Sequence, residues 1–266
     1  MTATASFLRN GFLAAVAIFL VLPIVVISAI SFNAQRSFSF PPKGVSGRWY
    51  VEMLGDPGWN SALLISATVA VLSAAIACSV ALPIAYAQWR QPSKLVSILY
   101  GSCVLPFVIP PVVVALGDVT YWTQLGLYGQ PTALVACHAM FVVALPLLTL
   151  TIGLSSIDRE MLEAAESLGA HGTKLFRTIV WPLIRPYLLT GFVFAIVVSL
   201  NEYIIAYMVA GATAQTVPVK MFNSLRYGYS PVLAAVAVTF VAISFAAFGL
   251  IGRYGDLRRL MGAWRT

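Results

Sequence analysis

The segment Ser155-Ser-Ile-Asp-Arg-Glu-Met-Leu-Glu-Ala-Ala-Glu-Ser-Leu-Gly-Ala-His-Gly-Thr-Lys-Leu-Phe-Arg-Thr-Ile-Val-Trp-Pro182 sets a charged insert between two apolar runs. Ser155 and Asp158 stand at capping-box spacing, and the acids Asp158 and Glu160 fall in the first turn, where free backbone N–H groups favour negative charge. A helix is predicted from about Ser156 to Leu168, ended by Gly169 in the left-handed conformation. Thr173 is predicted to cap a second short helix, and Pro182 to open the next apolar run. The small residues Ala164, Ala165 and Gly169 suit close docking into a groove on another protein. An amphipathic connector lying on a membrane surface fits the physics equally well. Both readings stay open at this point.

On both sides of this insert the chain is strongly apolar. Hydrophobic residues make up 60% of the 266 and charged residues 9%, against roughly 25% charged in a soluble domain. So few charges cannot cover a surface that faces water, and most of the exterior must face lipid. A spanning helix needs about 20 apolar residues. Six runs qualify: Gly11–Phe32, Ser61–Ala87, Val96–Leu116, Pro131–Leu154, Tyr187–Ala212 and Val232–Ile251. The alternation of a membrane barrel is absent, so the expected fold is an all-α integral membrane protein with six transmembrane helices. Prolines inside the runs (Pro23, Pro83, Pro106, Pro110, Pro111, Pro146) are tolerated where neighbouring helices satisfy the freed backbone groups. The Gly11–Phe32 run is too long for a signal peptide and lacks a small-residue cleavage site, so it is expected to be a retained first helix. The expected organisation is the first helix and an external loop in residues 1–60, a transmembrane domain in 61–252 that includes the loop 155–182, and a cytoplasmic tail in 253–266.

The net charge of +7 is spread between hydrophobic runs, a pattern that sets topology and implies no nucleic-acid partner. With the N-terminus inside, eleven lysines and arginines fall on the inner side and five (Arg36, Lys43, Arg48, Lys220, Arg226) outside. Both termini are therefore expected in the cytoplasm. The Trp49-Tyr50 pair in the Asn33–Asn60 loop is expected to anchor at the interface, and the Lys220–Arg226 segment to contact a soluble partner or form an outer loop. Cys78, Cys103 and Cys137 each sit in an apolar run, which implies packing thiols, no disulfide framework and no metal site.

Glu202 is the one acid that the expected boundaries place deep inside a span. At ~1.5 Å per residue it lies ~22 Å from Tyr187 and ~15 Å from Ala212, near mid-membrane. An ionised group there costs several kcal/mol unless paired or hydrated, so such residues face a bundle interior or a water path. The expectation is that Glu202 lines a translocation path and attracts a cation, with Asn201, Tyr203 and Tyr207 supplying hydrogen bonds and ring faces. The alternative is a structural hydrogen bond or ion pair. His138, alone among apolar neighbours, reads as a hydrogen-bonded packing residue rather than a proton carrier. Asp118 and Trp122 fit either an external gate or an interfacial anchor.

Glu163-Ala164-Ala165, Gly169, Ile179 and Pro182 stand at the spacing of the EAA loop, and the chain thereby resembles the type I ABC importer permeases, with a MetI-like fold. One departure is Trp181, where that family usually has leucine before proline. Ser31-Phe32-Asn33, Trp49-Tyr50, Leu200-Asn201-Glu202-Tyr203 and the segment Pro218–Pro231 are similar to the spermidine/putrescine permease branch. The resemblance implies a coupling role for Glu163, Ala164, Ala165, Gly169, Ile179 and Pro182. It also implies a second homologous permease subunit, two ATPase subunits that bind ATP and Mg²⁺, and a soluble substrate-binding protein, in a bacterial plasma membrane. In that branch aspartate often precedes the glutamate; Asn201 removes one negative charge and opens the substrate range to monocations and zwitterions.

No Gly-x-x-x-x-Gly-Lys-Ser/Thr phosphate loop occurs in the chain, so no cofactor and no catalytic residue are expected here, and ATP hydrolysis is expected on a separate chain. An ion-coupled secondary transporter of small organic cations is the alternative. It would carry an intramembrane ion site and repeated halves, neither of which is evident. A membrane enzyme would cluster His, Asp or Cys at an interface, and two histidines with scattered acids do not.

Overall fold

The computed structural model describes residues 3–228 and 230–254. In chain order the helices are α1 (Ala3–Ser31), α2 (Arg48–Gly55), α3 (Pro57–Arg90), α4 (Lys94–Val108), α5 (Pro111–Gln124), α6 (Pro131–Val142) and α7 (Ala144–Ser155). There follow α8 (Arg159–Ser167), α9 (Thr173–Leu175), a π turn (Phe176–Val180), α10 (Trp181–Asn201), α11 (Ile204–Ala210), α12 (Val217–Tyr227) and α13 (Pro231–Tyr254). Among the described residues the only β pairing is an isolated bridge between Asn33 and Val45. Of the expected tail, residues 255–266 lie outside the described residues.

The six apolar runs all fold as helix, with two breaks that the run boundaries do not anticipate. Among the described residues four helices are long and apolar enough to span: Ser6–Ser31, Pro57–Arg90, Pro131–Ser155 and Thr173–Asn201. The third run was expected straight from Val96 to Leu116. Instead α4 and α5 meet at 110°. Ile109 is extended (φ −72°, ψ 142°) because the Pro110 ring disfavours helical geometry before it, and Pro111 then starts α5 at a position that needs no N–H. The fifth run was expected to be continuous from Tyr187 to Ala212. Its helix instead begins at Thr173, ends at Asn201 and resumes as α11. The sixth run, in α13, is apolar over Pro231–Ala247.

The molecule divides into two compact units. Of the described residues, one holds those within 3–60 and 221–244, the other those within 61–220 and 245–254. In the first unit the long loop after α1 is organised around Asn33. Its side-chain oxygen accepts from the N–H groups of Gln35 (3.1 Å) and Lys43 (3.0 Å), and its amide donates to the Ser37 carbonyl (3.0 Å). The Trp49-Tyr50 pair is not the expected lipid anchor. Trp49 is buried and donates from Nε1 to the Asn33 carbonyl at 2.6 Å, while the Tyr50 hydroxyl pairs with the Ser31 hydroxyl at 2.8 Å. A loop that must satisfy its own backbone groups recruits the aromatic N–H and O–H inward.

In the second unit α3 buries an alanine stripe (Ala70, Ala74, Ala77, Ala81, Ala85) at helical spacing. Small residues also set a close helix contact, between α7 and α10. A Cβ on Gly191 would stand 2.5 Å from the Pro146 Cα and overlap the Thr149 hydroxyl; one on Gly153 would stand 2.6 Å from the Tyr187 ring. In lipid, where burial offers no hydrophobic gain between helices, such close backbone approach is what holds them.

Candidate functional site

The polar insert between α7 and α10 forms a compact projection. Ser155 does not cap it: its hydroxyl donates back to the Thr151 carbonyl at 2.8 Å, and Ser156 likewise to Gly153 at 2.7 Å. Ile157 is buried, so the chain cannot turn outward before Asp158. Asp158 is the cap, its carboxylate accepting from the Glu160 N–H at 2.9 Å, and the helix starts three residues later than expected, at Arg159. The predicted stop is observed. Gly169 has φ +80°, and the Gly169 and Ala170 N–H groups return to the carbonyls of Glu166 and Ala165, both at 3.0 Å, a Schellman closure. Leu162 is the buried side of α8, Ala165 packs partly against the core, and Glu163, Ala164 and Gly169 face outward. Leu168 is 86% exposed at the tip.

The return path differs in part from expectation. Thr173 is the first helical residue, following Gly172 at φ +55°, and makes no capping bond. Pro182 stands in the first turn of α10, as expected, but α9 runs through the π turn into α10, so the helical path begins before it. Pro182 has no N–H for the Thr178 carbonyl and its ring crowds that group, and the wider turn relieves both, with the Trp181 N–H reaching back to Phe176. Ile179 lies half-buried within that turn and Pro182 is exposed.

The second site is the break in the fifth run. Glu202 is extended (φ −71°, ψ 123°) and ends α10. Glu202 is 8% exposed. Oε1 accepts from the Ile205 N–H at 2.9 Å and Oε2 from the Ala206 N–H at 3.0 Å, so the carboxylate closes the first turn of α11. His138 of α6 stands beside it, with Nε2 3.5 Å from Oε2 and Nδ1 2.8 Å from the Ser199 hydroxyl. His138 is thus a buried, hydrogen-bonded residue, with the added neighbour Glu202. Asn201 is exposed, its amide donating to the Val197 carbonyl at 2.8 Å. Tyr203 and Tyr207 stack with ring centroids 5.5 Å apart, and Tyr207 is 41% exposed. The expected residues therefore divide: Asn201 and Tyr207 are accessible, Tyr203 is half-buried, and Glu202 is turned into the protein.

A further buried acid lies on α5. Asp118 lies beside the Cys137 thiol, which accepts from the Trp122 indole N–H at 3.0 Å. Asp118 and Trp122, four residues apart on one helix face, are thus buried and half-buried partners of Cys137 rather than surface anchors. Their spacing was visible in the sequence; the thiol that joins them, on another helix, was not. Among the described residues no group of three His, Cys, Asp or Glu side chains could hold a metal ion.

Residues 78–255 match the family model described as "Binding-protein-dependent transport system inner membrane component". The chain is similar to the spermidine/putrescine transport system permease protein PotC of Haemophilus influenzae, 28% identical, with 90% of this chain and 93% of that protein covered. It is also similar to the putrescine transport system permease protein PotI of Escherichia coli, 29% identical over 88% and 84% of the two chains. Among solved structures it superimposes on a bacterial ABC transporter that imports the acidic polysaccharide alginate, with a TM-score of 0.71, 17% identity, and 96% and 98% of the two chains covered.

Proposed function

The chain belongs to the binding-protein-dependent transport system inner membrane components, and we propose that it is one of two homologous permease subunits of an ATP-driven importer. The observation that carries the proposal is the α8 projection, a helix fixed at both ends whose outer face offers Glu163, Ala164, Gly169 and an exposed Leu168. The exposed leucine beside small residues supports docking of this face against another protein. α8 seats on a cytoplasmic ATPase, with both termini of the chain on the same side. ATP and Mg²⁺ bind that ATPase, and this chain carries no enzymatic activity. The solute arrives on a soluble binding protein.

The proposed substrate is a small cationic or nitrogenous solute of polyamine type. The names of PotC and PotI support this class. Asn201, Tyr203 and Tyr207 are proposed to line the path, with ring faces suited to an ammonium group. Glu202 lies behind them and sets the local negative potential while it holds the break in the helix. The test is uptake of labelled putrescine or spermidine into vesicles containing the complete transporter and its binding protein. Uptake that requires both ATP and the binding protein is expected. Uptake driven by an ion gradient without ATP would refute the proposal.

A further inference from the structure

The last turn of α3 touches the α8 projection twice. Arg90, the final residue of α3, donates from Nη2 to the Glu166 carboxylate on α8. One turn earlier the Tyr86 ring meets Phe176 edge-on, with centroids 5.1 Å apart at 78°. Phe176 opens the π turn, the irregular part of the route from α9 into α10. The turn after α3 is itself pinned, since the Ser97 hydroxyl of α4 donates to Gln88 at 3.3 Å.

Through the chain alone, a displacement of α8 reaches α10 by way of Gly169, Gly172 and the π turn, all places where the backbone departs from α geometry. The Arg90–Glu166 pair bypasses that route. It ends on a 34-residue helix, ~51 Å long, whose buried alanine stripe packs it along the unit as a rod. We propose that Arg90 and Glu166 are positioning residues that form a strut from α8 to α3, so that movement of the projection is delivered to two spans at once. The Tyr86–Phe176 contact steadies the same junction. This rests on the reading that α8 docks on an ATPase.

The test uses the complete transporter in proteoliposomes, with ATPase retention, ATP hydrolysis and solute uptake measured for R90E, E166R and the charge-swapped double variant. Each single variant is expected to keep its ATPase subunits and hydrolyse ATP, yet to move roughly fivefold less solute per ATP. The swap re-forms the pair and is expected to restore the ratio to within about twofold, whereas loss of a contact that merely stabilises the fold would lower hydrolysis and uptake together and leave the ratio unchanged. R90Q introduces no repulsion and should lower the ratio too; it serves if the reversals fail to insert. An unchanged ratio in the single variants or in R90Q, or a swap no better than its parents, overturns the strut while the docking reading stands. Loss of the ATPase from E166R would make Glu166 a docking residue and also overturn it. A wild-type chain that retains no ATPase would sink both.

Discussion

Glu202 Oε2 lies 3.5 Å from His138 Nε2 while accepting the Ala206 N–H at 3.0 Å, so one carboxylate both caps α11 and meets α6. The break in the fifth run is thereby built by side chains rather than by glycine or proline. Neither carboxylate oxygen is turned to an open groove. In the proposed function the charge serves the path through its position behind Asn201 and Tyr207.

Replacing Glu202 tests that arrangement. Glu202→Ala strands two buried N–H groups, each at a cost of about 1–3 kcal/mol, and should lower thermal stability in detergent and abolish uptake. Glu202→Gln keeps one acceptor and should fall between. If Glu202→Ala melts with the wild type and only its KM for solute rises, the carboxylate is a direct ligand instead of a cap.

Tyr207 is the accessible ring of the stacked pair. Tyr207→Ala is expected to raise the KM for a polyamine several-fold, as loss of a cation–π contact of about 1 kcal/mol would, with the melting temperature little changed. Tyr207→Phe should transport nearly as the wild type. Uptake kinetics across the three chains decide it, and an unaffected KM in the alanine variant removes Tyr207 from the path.

Gly169 has open space around it, so its constraint is the positive φ alone. Gly169→Val should cost about 1–2 kcal/mol in the α8 closure and redirect the projection, with uptake lost while the protein remains in the membrane. Gly169→Asn, which tolerates the left-handed region, should retain much of the activity. Equal loss in both variants would show that bulk, not backbone conformation, is what matters.

Gly191 makes the opposite case, with ordinary backbone and no space. Gly191→Val should prise α10 from α7 against Pro146 and Thr149 and cost about 1–3 kcal/mol or more. A reduced yield of folded protein, read by size-exclusion profile, is the expected result. A normal profile would mean that the two helices separate without penalty.

The apolar runs were legible because composition and length alone dictate them, and Gly169 announced its own conformation. The breaks were less so. Pro106, Pro110 and Pro111 were all visible, yet only at Ile109 does the chain turn, because two consecutive residues without N–H follow it. Nothing in Leu200-Asn-Glu-Tyr203 marks a helix end; the carboxylate that makes it also meets a histidine 64 residues distant in sequence, on α6. The start of α8 slipped from Ser156 to Arg159 because Ser155 and Ser156 bond backwards into α7, a choice that local spacing does not encode. Trp49 read as an interfacial aromatic, but its N–H had a nearer acceptor in Asn33. Arg90 and Glu166 stood in the sequence as ordinary charges, 76 residues apart.

The most direct measurement places a photo-crosslinking residue at Ala164, with a second chain carrying it at Ser37 as control, in membranes that contain the assembled transporter. A covalent adduct between the Ala164 chain and an ATPase subunit, absent from the Ser37 chain, is the predicted result. Adducts from Ala164 to lipid alone would contradict the account, for α8 would then rest on the membrane and deliver no motion to the spans.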